Sequence, residues 1–227
     1  MQNLISLFET IESVQVIDSS ISYTDYLPID LSINSALLAN GKPENASDYE
    51  LLINNYLQQN KAKVAFGGYC EHRDLYQRST VFKNTTTDER NIHIGLDLWI
   101  AAGTSVLAAL DGKVHSFQYN SNFGDYGPTI ILEHEINNQK FYTLYGHLSL
   151  ESLENLRINQ EFKKGTIIAT LGDATVNGDY APHLHFQIIK DIQNYKGDYP
   201  GVCSSNDLSF YKENCPDPNL LLKIKKY

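Results

Sequence analysis

The sequence predicts a mainly β fold, an antiparallel sandwich or barrel-like sheet carrying a small, partly helical N-terminal segment. Three observations lead there. Beyond Lys61, short alternating or aliphatic runs recur about every ten residues, as in sandwiches and barrels. Gly, Asn and Asp separate these runs, the residue types that turns demand. Finally, His and Asp residues stand two and four apart inside the runs, where strand alternation brings them to one face.

The N-terminal 60 residues read differently and are taken as an accessory segment, with 61–227 as the main domain. Leu4, Ile5, Phe8 and Ile11 lie at helical spacing. From 14 to 43 the chain is mixed, with short extended pieces and loops expected to cover the main domain. Ser47 and Glu50 form a capping-box pattern. Leu51, Leu52, Tyr56 and Leu57 follow as one apolar stripe, and the helix is expected to end near Asn60. That stripe reads as packing rather than as a partner surface.

Strands are expected over 64–66, 92–98, 105–109, 113–119, 129–134, 140–148, 167–170 and 184–189. A polar loop over 84–89 precedes the second of these. Longer loops over 120–127 and 173–181 are placed to wall a cleft, a short helix is expected near 150–156, and the tail, with Pro216 and Pro218, is expected to be an irregular segment that pins Leu220 to Leu222 back on the domain.

The stretch Asn91-Ile-His-Ile-Gly-Leu-Asp-Leu-Trp99 carries the chemistry. On a strand His93, Gly95 and Asp97 share one side, while Ile94, Leu96 and Leu98 share the other. An imidazole and a carboxylate flanking a bare position suit a small cation. The helical His-Glu-x-x-His zinc pattern is absent. Pro182-His183-Leu184-His185-Phe186-Gln187 adds two His on one strand face, and Tyr145-Gly146-His147-Leu148 puts Tyr145 and His147 on another. Any one of these His could be a structural residue. Together, on alternating apolar strands, they point to a metal site.

The ordered series His93-x-x-x-Asp97, Tyr145-x-His147-Leu148 and His183-x-His185 resembles the lysostaphin/LytM-type zinc metallopeptidases. Connecting sequence is similar too: Ala102-Gly103-Thr104 through Val106, Ala108, Asp111-Gly112 and Val114, then Gly127 to His134, then Lys164-Gly165-Thr166-Ile167 through Gly172. The similarity runs from His93 to Ile189. Ala181 stands where that family often has Gly, and Gln187 where it often has Glu.

The resemblance implies a LytM-like fold of the duplicated hybrid motif type and one Zn2+ per chain held by His93, Asp97 and His185. It also implies catalysis by His147 and His183, one as base and the other as oxyanion stabiliser or acid, in an order the sequence leaves open. The implied activity is hydrolysis of peptide bonds, with peptidoglycan cross-links as substrate. A cytosolic zinc hydrolase of a soluble peptide or amide, and a non-catalytic LytM-like binding or activator module, are the alternatives. Tyr145 is a candidate oxyanion donor or a cross-strand packing residue. His134 is a candidate partner of a ligand, while His72 and His115 read as structural or solvent-facing. Asp173 and Asp179 either orient an imidazole or serve as turn residues.

Composition narrows the partners. The chain has 227 residues, 42% hydrophobic and 20% charged, ordinary for a soluble globular protein, and its net charge is −9. A basic footprint for nucleic acid or an anionic membrane is missing. No stretch approaches the apolar length that spans a bilayer. Without a basic n-region and a long apolar run at its start, the chain reads as cytoplasmic. Removal of an export signal would make it periplasmic or cell-wall. Cys70, Cys203 and Cys215 form no Cys-x-x-Cys pair, so reduced thiols are expected, with a Cys203–Cys215 bridge as the alternative in an exported protein. Oligomeric state is not legible.

Overall fold

A computed structural model describes residues 4–39, 41–74 and 89–225. Residues 84–88 of the expected polar loop lie outside the described residues. In chain order the elements are α1 (Leu4–Thr10), β1 (Tyr26–Pro28), α2 (Ala46–Gln59), β2 (Val64–Gly67), β3 (Glu71–His72), β4 (Ile92–His93) and β5 (Leu96–Trp99). There follow β6 (Ser105–Leu107), β7 (Gly112–Asn120), β8 (Gly127–Ile136), β9 (Gln139–Gly146), β10 (Glu161–Phe162) and β11 (Ile167–Thr170). The chain closes with β12 (His183–Ile189), β13 (Val202–Cys203), α3 (Leu208–Asn214) and α4 (Asn219–Leu222).

The protein is mainly β, as the alternation predicts. One eight-stranded sheet runs β1-β2-β5-β12-β9-β8-β7-β10, beside a β11-β6 pair and a three-stranded β13-β4-β3 sheet. Among the described residues all strand pairings are antiparallel except β1 with β2, which are parallel and bring residues from the N-terminal segment into the main sheet. The β8–β9 turn is made by Asn137 and Asn138, both at positive φ (53° and 59°). Asn tolerates that region, and a turn of this hand matches the twist of the strands it joins.

Alternation splits the central strands cleanly. Leu184, Phe186 and Ile188 of β12, with Ile130, Leu132, Phe141 and Tyr145, face the main core, which α1, α4 and the β6–β11 pair close from the far side. Ile131, Leu144 and Ile189 face the opposite side, in a second cluster with Tyr199, Cys203 and Cys215. Burying these aliphatic and aromatic side chains contributes roughly 1.5–3 kcal/mol apiece. Helix α2 packs Tyr49, Ile53 and Leu57 against Ala65 and Trp99 in a third cluster.

Two details of α2 depart from the sequence reading. Its cap is Asn45, whose Oδ1 accepts from the Asp48 amide at 2.9 Å, so the helix starts before Ser47. Consequently its buried face is Ala46, Tyr49, Ile53 and Leu57, and Leu51 is exposed. The tail buries Leu221 and Leu222 as expected, but these residues lie in the short helix α4 rather than in an irregular segment. Cys70, Cys203 and Cys215 are free thiols.

Candidate metal centre

The His93–Asp97 stretch is not one straight strand. β4 ends at His93, the chain bends at Gly95, and β5 begins at Leu96, so the two polar residues belong to different sheets. The bend turns them toward each other. His93 Nε2 and Asp97 Oδ1 lie 3.2 Å apart. The bare position at Gly95 receives the His185 ring rather than an ion, since a Cβ there would stand 2.5 Å from His185 Nε2.

His185 completes the group because β12 pairs with β5, placing it directly across from Asp97. Its Nδ1 is 2.9 Å from His93 Nε2 and 3.2 Å from Asp97 Oδ1. All three residues are buried. Four ligands held tetrahedrally at 2.0–2.1 Å, as on zinc, stand about 3.3 Å from one another. The three edges found here fit that shape.

Hydrogen bonds fix which ring nitrogens can bind. His93 Nδ1 donates to the Gly68 carbonyl at 2.9 Å, so its Nε2 presents a lone pair. His185 Nε2 donates to Gln187 Oε1 at 2.9 Å, so its Nδ1 presents another. Asp97 Oδ1 is buried without a hydrogen-bond donor among the described residues. Three acceptors therefore converge with no proton between them, an arrangement that a bound cation satisfies. Burial opposes charge on Asp97, but its surroundings, with the Arg73 guanidinium on Oδ2 the permanent charge among them, outweigh it and hold the carboxyl well below the usual range. Burial likewise pushes His93 down to about 4, keeping the ring neutral, as a ligand must be.

His147 and His183 flank this group. The His147 ring centre is 4.2 Å from that of His183 and 6.4 Å from that of His185. Each keeps its Nδ1 proton on a carbonyl, His147 on Asn177 O and His183 on Ala181 O, both at 2.7 Å. Each Nε2 is thereby an acceptor, and that of His183 lies 3.9 Å from Asp97 Oδ1. Burial depresses the pKa of both, that of His147 further through its His183 and His185 neighbours.

Strand alternation alone misplaces one pair. β9 ends at Gly146, and His147 sits at φ 61°, which turns its ring into the cleft while Tyr145 points the other way. Tyr145 is fully buried in the main core, where its hydroxyl accepts from the Ala109 amide at 2.9 Å. It is a packing residue and does not reach the metal centre. His134 shares that inner side, with Nδ1 donating to Asp111 O at 2.9 Å and Nε2 accepting from Thr143 at 2.7 Å, so it partners no ligand. Asp173 is a turn residue whose carboxylate accepts from the Thr175 amide, and the loop orients His147 through the Asn177 carbonyl instead. His72 is exposed, and His115 is half-buried against Tyr142.

Other neighbours emerge only in three dimensions. Trp99 stacks on His183, Tyr180 meets both His147 and His183 edge-on, and Tyr126 covers His185. Arg73, 2% exposed, donates from Nη1 to Asp97 Oδ2 at 2.6 Å. The cavity beside these groups measures about 210 Å3. Leu31, Ala46, Tyr49 and Ile53 line one part of it, and Tyr195, Tyr199 and Pro200 another.

Residues 91–197 match the model of Peptidase family M23. A curated relative from Haemophilus influenzae, described as an uncharacterized metalloprotease, is 35% identical over 95 residues. That match covers 42% of this chain and 18% of the relative's length. Among solved structures, the antimicrobial peptidase lysostaphin from Staphylococcus simulans is 27% identical, covering 54% of this chain and 45% of that one, with a TM-score of 0.33. The catalytic domain of the prophage-encoded M23 protein EnpA from Enterococcus faecalis is 21% identical, covering 52% and 85%, with a TM-score of 0.37.

Proposed function

We propose that the protein is a zinc-dependent metalloendopeptidase that hydrolyses peptide bonds, with peptidoglycan cross-links as its substrate class. The observation that carries this reading is the convergence of His93 Nε2, Asp97 Oδ1 and His185 Nδ1 with no proton between them. Two further imidazoles beside that point supply what hydrolysis needs and a binding module does not. The match of residues 91–197 to a peptidase family supports peptide bonds as the target.

Zinc, when bound, would polarise the scissile carbonyl and bring the pKa of a water down to about 7. The rest falls to the chain. His147 and His183, with Nδ1 protons engaged, begin as bases at Nε2. One takes the proton of the attacking water and becomes a cation. It can then stabilise the oxyanion and pass its proton to the leaving amine. Trp99 and Tyr180 restrict the rings of this pair, and Tyr126 screens His185 from water.

A second reading, hydrolysis of a short soluble peptide, draws on the wall that α2 adds to the cavity through Ala46, Tyr49 and Ile53. A cross-linked polymer needs a groove open at both ends, whereas a short peptide does not. The two readings separate when the zinc-loaded protein is incubated with purified cross-linked muropeptides and with short linear peptides, and the products are identified by mass spectrometry. Cleaved cross-links that disappear with His147→Ala support the first reading. Cleavage of linear peptides alone supports the second, and no cleavage of either sinks both.

A further inference from the structure

The metal centre reaches beyond the family segment. Arg73 lies outside residues 91–197, yet its Nη1 donates to Asp97 Oδ2 at 2.6 Å, leaving Oδ1 to face His93 and His185. The guanidinium is itself held. Its Nε donates to Glu71 Oε2 at 2.5 Å, and Glu71 Oε1 accepts from the Leu31 amide at 3.1 Å. Its carbon rests 5.5 Å from the centre of the Trp99 ring, a cation–π contact. The Arg73 amide donates to Asn91 O, tying β3 to the entry of β4. Gly68 leaves the room required, since a Cβ there would stand 3.0 Å from Arg73 Cζ and 2.9 Å from His93 Nδ1.

We propose that Arg73 is a positioning residue of the metal centre, and that the relay from Leu31 through Glu71 and Arg73 to Asp97 makes the N-terminal part of the chain a component of it. A carboxylate offers two equivalent oxygens and can rotate or bind a metal through both. Engaging Oδ2 with a planar, permanently charged donor removes that freedom. Lysine cannot reproduce this, because a single ammonium lacks the fork that joins Glu71 to Asp97.

This inference rests on the metal-centre reading, and its test is metal binding rather than hydrolysis. Zinc affinity is measured by competition with a chromophoric chelator, and the visible spectrum is recorded with cobalt in place of zinc, for wild type, Arg73→Met, Arg73→Lys and Glu71→Gln. Partners that orient a ligand typically change metal affinity 10–100-fold, so Arg73→Met is expected to bind zinc about that much more weakly. Its cobalt spectrum should also differ, with Arg73→Lys and Glu71→Gln in between. Thermal unfolding of the metal-free proteins identifies any variant that fails to fold. If Arg73→Met fails, the two milder variants decide the matter by the same readouts. Wild-type loading combined with affinities within about threefold and unchanged spectra in the folded variants overturns the inference alone. A wild type that binds no zinc removes the metal-centre reading, and this inference with it.

Discussion

Gln187 Oε1 lies 2.9 Å from His185 Nε2, and the amide cannot be turned round without loss, because Gln187 Nε2 donates to the Pro200 carbonyl at 3.1 Å. The ring proton of His185 is therefore on Nε2, and Nδ1 is the atom that faces His93 and Asp97. Gln187→Leu should free the ring to change tautomer and weaken zinc binding about 10–100-fold, while Gln187→Glu, which retains an acceptor, should bind more tightly than the Leu variant. Chelator competition reads both. Equal affinity in wild type and Gln187→Leu would show that the amide does not select the tautomer.

Gly95 is required for space. A side chain there would overlap the His185 ring, so Gly95→Ala must displace a ligand. Overpacking a buried position costs about 1–3 kcal/mol, which the fold can bear. Zinc affinity should fall on the order of 100-fold while far-ultraviolet circular dichroism stays native. Zinc bound at wild-type affinity by a folded Gly95→Ala protein would mean that His185 binds from elsewhere.

His134 makes stability sensitive to acid. Burial lowers its pKa from 6.5 to about 4, so between those values the unfolded chain takes up a proton that the folded chain refuses. Its contribution is complete above pH 6.5 and declines as the pH falls toward 4. By pH 5 the loss is about 2 kcal/mol. His134→Gln cannot titrate, so its loss of stability between pH 7 and pH 5, from urea unfolding of the metal-free protein, should be smaller than that of wild type by about this amount. The other histidines are common to both proteins and cancel in the comparison. Equal losses would place the acid sensitivity elsewhere.

Much of this was legible in the sequence because period-two patterning is a local property. Leu184, Phe186 and Ile188 against His183, His185 and Gln187 announce both the strand and its two faces. Alternation fails where the backbone leaves the β region: His147 at φ 61° swings to the side opposite that expected, separating it from Tyr145. The bend at Gly95 was likewise hidden, since an unbroken strand and a bent one share the same alternation. Arg73 carried no signal at all. It lies 24 residues before Asp97 in the chain and meets it only because β3 pairs with β4 in the small sheet. The missed cap of α2 is a nearer failure, in which Asn45 competed successfully with Ser47 for the helix start.

The central claim is that His93, Asp97 and His185 form one metal site. It is tested most directly by elemental analysis of the purified protein, wild type beside His185→Ala, after zinc has been offered at neutral pH and the excess removed. The expected result is about one zinc per chain in the wild type, as for a site of three protein ligands, and a small fraction of that in the variant. A wild type without stoichiometric zinc, or a His185→Ala protein that retains it, would contradict the account.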